Sequence, residues 1–212
     1  MGFKELRQAT SVEEFDYQLL VSHLSEYSNK RDAITRLMRD QKIIRIKKGL
    51  YIFGPDYRKG LVCKESLANQ IYGPSYISLE YALAFYGMIP ERVDQVTSVT
   101  TGRSRKFNTP LGSFSYRYLP IEKYTVGITW KQLDDYHGVM LATPEKAIFD
   151  YVYFSRGVSD KTSLEHYFYD DLRIDEAVLK ELSLDRLIEI AKSFSSGRIN
   201  RVLQFIQELH HA

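Results

Sequence analysis

Residues 43–53, Ile-Ile-Arg-Ile-Lys-Lys-Gly-Leu-Tyr-Ile-Phe, constrain the fold of this chain more than any other stretch. Two β-branched or aromatic runs flank Lys47-Lys48-Gly49, and a glycine there supplies the positive φ that a tight turn needs. The stretch is expected to be a β-hairpin with a basic tip. Arg45 and Lys47 alternate with Ile44 and Ile46, so a side-chain period of two places both charges on one face of the ribbon.

Two helices are expected before the hairpin. From Val12 to Tyr27, Phe15, Leu19, Leu20 and Leu24 recur at helical spacing, with Ser11 as N-cap and Glu13 and Glu14 in the first turn. Ser28 or Asn29 then caps a second helix reaching to about Gln41, with Ile34, Leu37 and Met38 facing inward. Asp32, Arg36 and Arg39 fall on its opposite side, flanked by Arg31 and Thr35. Helix, helix, basic hairpin is the order of a winged helix-turn-helix, where one helix enters the major groove and the wing lies along phosphates.

The charge distribution agrees. Net charge is only +2, but Ser28 to Gly60 carries ten Lys or Arg against three Asp or Glu. Thr101 to Lys123 carries five against one, whereas Asp160 to Glu189 carries nine acidic residues against four basic. A basic front half points to an anionic partner, of which nucleic acid is the commonest kind. One cysteine, Cys63, excludes an intramolecular disulfide framework and a thiolate-rich zinc site. The most apolar stretch, Gly73 to Pro90, contains Glu80 and is too short and polar to span a bilayer. No secretory h-region with a cleavage site is visible, so the expected location is the cytoplasm and no membrane partner is expected.

Beyond the hairpin, Gly54 to Gly60 is the expected boundary between a domain at 1–58 and one at 59–212. Lys64 to Tyr72 reads as a helix, and Ser78 as the cap of a helix over Leu79 to Tyr86. Strands are expected at Gln95 to Thr101, in a hairpin over Lys106 to Tyr118, at Tyr124 to Thr129 and at Val139 to Leu141. Thr143-Pro144-Glu145 starts a helix that runs through Val152. From Ser155 the chain reads as helical, with segments over Asp175 to Leu182, after Ser183, and after Gly197. The expected class is α+β: a winged helix-turn-helix, then a mixed α/β domain with a small antiparallel sheet and a helical C-terminal tail.

No coherent catalytic set emerges. There is no Gly-x-Ser-x-Gly elbow, no His-Glu-x-x-His and no Gly-x-Gly-x-x-Gly. The five histidines lack metal-ligand spacing on any helix, and a turn before Val139 accounts for Asp135 and His137 as well as a metal does. A binding protein without metal or cofactor is the expectation, not an enzyme.

Three segments resemble one family. The hairpin Ile43 to Phe53 is similar to the wing of AbiEi-type antitoxins, the antitoxin components of abortive-infection AbiE systems. The segments Tyr76 to Gly87 (Y-I-S-L-E-Y-A-L-A-F-Y-G) and Leu141 to Asp150 (L-A-T-P-E-K-A-I-F-D) resemble the same family, in the same order. The resemblance covers roughly Phe15 to Tyr153. It implies an N-terminal winged helix that represses its own operon and a larger C-terminal domain that neutralises a nucleotidyltransferase-like toxin. Carried onto this chain, it implies DNA contacts from Arg31, Thr35, Arg36 and Arg39 on the helix and from Arg45, Lys47 and Lys48 on the wing. Arg36 or Arg39 would reach guanine edges, and the wing lysines phosphate. Arg103, Arg105, Lys106 and Arg117 form a second basic cluster, which either extends that footprint, serves antitoxicity or is a solvated hairpin. The short span before Ser28 departs from the family pattern, leaving the usual middle helix missing or very brief.

Two other readings stand beside this one. A protein-interaction module would act through the Tyr-rich sheet and the acidic tail. A nuclease or nucleotidyltransferase would need metal-dependent chemistry at Asp134, Asp135 or Asp150.

Overall fold

The computed structural model of the chain describes residues 2–155 and 161–211. Residues 156–160, read from sequence as part of the helical tail, lie outside the described residues. The fold is α+β, with two sheets.

Before the boundary segment the elements run α1 (Phe3–Ala9), β1 (Glu14–Asp16), α2 (Tyr17–Ser22), α3 (Lys30–Arg39), β2 (Ile43–Lys47) and β3 (Leu50–Phe53). The three strands form an antiparallel sheet in the order β1-β3-β2. The hairpin is where the alternating pattern puts it, and Gly49 turns it at φ 87°. Asn29 caps α3, its side-chain oxygen accepting the N–H groups of Arg31 and Asp32.

The expected helix over Val12 to Tyr27 is corrected. Phe15 lies in β1 opposite Tyr51, and the helix starts only after Asp16, whose carboxylate accepts the Leu19 N–H. Glu13 is drawn away from any first turn: it pairs with Arg7 at 2.8 Å and accepts the N–H groups of Lys59 and Gly60. Cross-strand pairing with β3 thus outweighs a local helical pattern. The span before the hairpin holds three short helices, the middle one being α2, and not two.

The chain continues as α4 (Lys64–Ile71), β4 (Ser75–Ile77), α5 (Leu79–Phe85), β5 (Val96–Thr100), β6 (Arg105–Thr109), β7 (Gly112–Tyr118), α6 (Ile121–Tyr124), β8 (Ile128–Gln132) and β9 (Gly138–Ala142). A helical series follows: α7 (Pro144–Phe154), α8 (Lys161–His166), α9 (Glu176–Lys180), α10 (Leu184–Phe194) and α11 (Gly197–His211). Thr143 and Ser183 cap α7 and α10 as their sequence positions predict. The small antiparallel sheet is therefore the N-terminal one. The second sheet is six-stranded and mixed, in the order β6-β7-β5-β4-β9-β8, with β4–β9 and β5–β7 parallel. The strand expected over Tyr124 to Thr129 begins only at Ile128, because Tyr124 closes α6. Ser78 does not cap α5 with its side chain; its hydroxyl donates to Asp150.

The second sheet carries helices on both sides. The Tyr116 hydroxyl of β7 donates to the Ala68 carbonyl of α4, while Tyr76 of β4, across β5, reaches Asp150 of α7. One face of the N-terminal sheet joins this larger core. Ile46, Leu50 and Ile52 pack in the same cluster as Leu67, Ala68 and Ile71 of α4. Ile43, Tyr51 and Phe53 belong to a separate cluster with Phe15, Leu20, Ile34 and Leu37. A sheet buried on both faces couples the two clusters, so unfolding is expected to be one transition. Ile52→Ala should lower stability by about 2–5 kcal/mol and shift that single transition in chemical denaturation. Two resolved transitions in the wild-type chain would contradict the coupling.

Candidate nucleic-acid interface

The α3 helix and the hairpin enclose a cleft of about 570 Å³. Arg31, Thr35 and Met38 line it from the helix, Arg45, Lys48 and Tyr51 from the hairpin, and Tyr17 from the start of α2. Ala33 and Leu37, which do not line the cleft, are buried, and the buried Ile34 forms part of its lining. Among the described residues, Arg31, Arg36, Arg45 and Lys48 enter no ion pair, and all four are exposed. Arg36 and Arg39 stand on α3 outside the cleft, with Arg39 paired to Asp40 at 3.3 Å. The Thr35 hydroxyl donates to the Arg31 carbonyl, which leaves its oxygen free to accept.

Lys47 does not join this group. The ladder slips between Arg45 and Lys47: Arg45 pairs with Tyr51 and Lys47 with Leu50, leaving Ile46 without a partner. Such a bulge re-aims the residues that follow it. Lys47 therefore lies on the opposite face from Arg45, where its ammonium donates to the Ile71 carbonyl at the end of α4 at 2.6 Å. Burial holds its pKa below the usual lysine value. The expectation that both charges share a face of the ribbon is thus corrected, and the basic tip reduces to Lys48, with Arg45 behind it. Period-two counting fails here because it assumes an unbroken ladder.

Tyr17 and Tyr51 were not among the residues the sequence singled out. Burial pushes the Tyr51 phenol up, Arg45 opposes this and Tyr17 adds to it, so the three form one electrostatic neighbourhood. The signal was present in Asp16, a good N-cap residue; taking it as the cap puts Tyr17 at the first turn of a short helix.

The second basic cluster is divided by its sheet. Arg105 lies opposite Tyr116 and its guanidinium sits 5.4 Å from the Tyr72 ring centroid. Lys106 lies opposite Ser115, on the other face, where Arg117 covers the Phe154 ring at 5.4 Å. Arg103 is exposed in the connection before β6.

Two of the three carboxylates considered for metal chemistry, Asp134 and Asp150, are engaged within the fold. Asp150 is fully buried; it pairs with Lys146 at 2.8 Å and accepts the hydroxyls of Tyr76 and Ser78 at 2.8 Å each. The Lys146 ammonium also donates to the Lys123 carbonyl and lies 4.2 Å from the Phe194 ring centroid. Burial pulls Lys146 down and Asp150 up, and their contact opposes both shifts. Asp134 binds the imidazole of His137 at 2.7 Å, and Asp135 is exposed. Among the described residues, no group of three or more His, Cys, Asp or Glu side chains is arranged to hold a metal ion. None of the described helices is long and apolar enough to cross a membrane.

The chain matches no protein-family model and, in sequence, no curated protein.

Removing one partner of a fully buried ion pair leaves a charge uncompensated. Asp150→Asn should therefore cost about 3–5 kcal/mol in urea denaturation. A cost under about 1 kcal/mol would mean that Lys146 is neutral, or that water reaches it in the native fold.

Proposed function

We propose that this protein binds double-stranded DNA through α3 and the hairpin tip, acting as an AbiEi-type antitoxin that represses its own operon. The observation that carries the reading is the cleft itself, with exposed cations on both walls and no acidic side chain among the residues that line it. The order α1-β1-α2-α3-β2-β3, with β3 central, supports a winged helix-turn-helix. In this reading α3 enters the major groove. Arg36 and Arg39 reach base edges, Thr35 accepts beside them, and Arg31, Arg45 and Lys48 hold phosphates on either side. Lys47 has a structural role, tying the hairpin to α4. The family resemblance supplies the rest of the proposal: the region after residue 58 counteracts a nucleotidyltransferase-like toxin.

A second reading, a protein-interaction module, draws on Trp130 and Tyr136. Both are largely exposed near the β8–β9 turn.

Fluorescence anisotropy separates the two. The duplex from upstream of the gene should bind more tightly than a scrambled duplex, and affinity should fall steeply with salt. Lys48→Ala should weaken both duplexes alike and reduce the salt slope by about one. Arg36→Ala should cost about 1–3 kcal/mol on the cognate duplex only. Equal, weak binding of both duplexes, indifferent to Lys48, would overturn the DNA reading and favour the interaction module.

A further inference from the structure

His137 occupies a junction that the DNA reading does not use. It sits between β1 of the N-terminal sheet and the β8–β9 hairpin of the second sheet, with 9% of its side chain exposed. Its Nδ1 is 2.7 Å from the Asp134 carboxylate, and its Nε2 is 3.2 Å from Oε1 of Glu14. A carboxylate only accepts, so each nitrogen must carry a proton to meet its neighbour favourably. A neutral imidazole has one N–H; an imidazolium has two.

Glu14 makes this requirement costly to violate. Its side chain is 4% exposed and its second oxygen, Oε2, has no hydrogen-bond partner. The Nε2 contact is an ion pair and not an aligned hydrogen bond, so it depends on the charge of the ring. With a neutral ring, a buried carboxylate would face a lone pair. The site opens on a cavity of about 360 Å³, bounded by Ser66 and Gln70 of α4, Trp130 and Gln132 of β8, and Tyr136. Those side chains bring no further formal charge. Cys63, before α4, feels Glu14, but its thiol is pushed up to about 12, chiefly by burial, and stays neutral.

We propose that protonation of His137 latches the N-terminal sheet onto the β8–β9 hairpin, and that deprotonation releases it. Asp134 orders the turn that presents the ring, accepting the N–H groups of Tyr136 and His137. Glu14 is the catch. Burial pulls His137 toward the neutral form, but Asp134 and Glu14 more than offset it, and the net shift is upward. The sign follows. Stabilisation from the latch is complete below the unfolded histidine value of about 6.5 and is lost as pH rises through the folded value.

The probe is built in, because Trp130 is the chain's one tryptophan and lines the same cavity. Its ring covers Gly138 so closely that a Cβ there would fall 2.0 Å from it. Trp130 emission of the full chain, recorded from pH 5.5 to 8.5, should show one transition with its midpoint above about 6.5. His137→Gln should abolish that transition, and Glu14→Gln should move its midpoint down. Amide protection at Glu14–Asp16 should fall with the same midpoint in the wild type. A flat emission profile, a transition retained in His137→Gln, or protection at β1 that ignores the transition would each overturn the latch. No readout involves nucleic acid, so failure here is separate from failure of the DNA reading.

Discussion

Leu50 and Ile52 leave β3 on one face and Tyr51 and Phe53 on the other, and all four side chains are buried. Each such burial is worth about 1.5–3 kcal/mol, so the central strand is held from both sides. The consequence reaches beyond stability. A hairpin with both faces covered along β3 leaves its tip, with Lys48, and Arg45 of β2 to solvent. The hairpin cations available to a partner are therefore Lys48 at the tip and Arg45 on β2, beside those on the exposed side of α3.

The bulge between Arg45 and Lys47 follows from the same constraint. With Ile46 and Leu50 both claimed by the larger core, the strand must turn its last residues toward α4. Lys47 goes with them and satisfies the Ile71 carbonyl, one of the last carbonyls of a helix. One lysine becomes a structural tie and its neighbour stays free. The His137–Glu14 contact and the hydrogen bonds from Lys59 and Gly60 to Glu13 are further links at β1 and its flank. The basic cleft thus sits on a platform joined to the rest of the chain at several points.

Much of this was legible in the sequence where the signal is local. The hairpin could be read from Gly49 and its flanking runs, α3 from Asn29 and its apolar stripe, and α7 from Thr143-Pro144. The tip lysine Lys48 and the polar side of α3 followed directly. What escaped was set by partners distant in sequence. Phe15 fits a helical stripe equally well, and only pairing with Tyr51 makes it a strand residue. Glu13 resembles a first-turn acid until Arg7 and residues 59–60 claim it. The order of the six-stranded sheet, with its parallel β5–β7 and β4–β9 pairs, leaves no mark in period-two patterning. The separation of Arg45 from Lys47 was hidden for the same reason, since a bulge is dictated by packing on both faces of the strand.

The central proposal is that the protein meets duplex DNA with α3 and the hairpin tip. Amide hydrogen exchange of the full chain, with and without the duplex from upstream of its gene, tests this most directly. The account predicts new protection centred on residues 30–39 and 45–49, with the helices after α7 unchanged. Protection centred on β6 and β7, or absent from α3 under conditions where the duplex is bound, would contradict it.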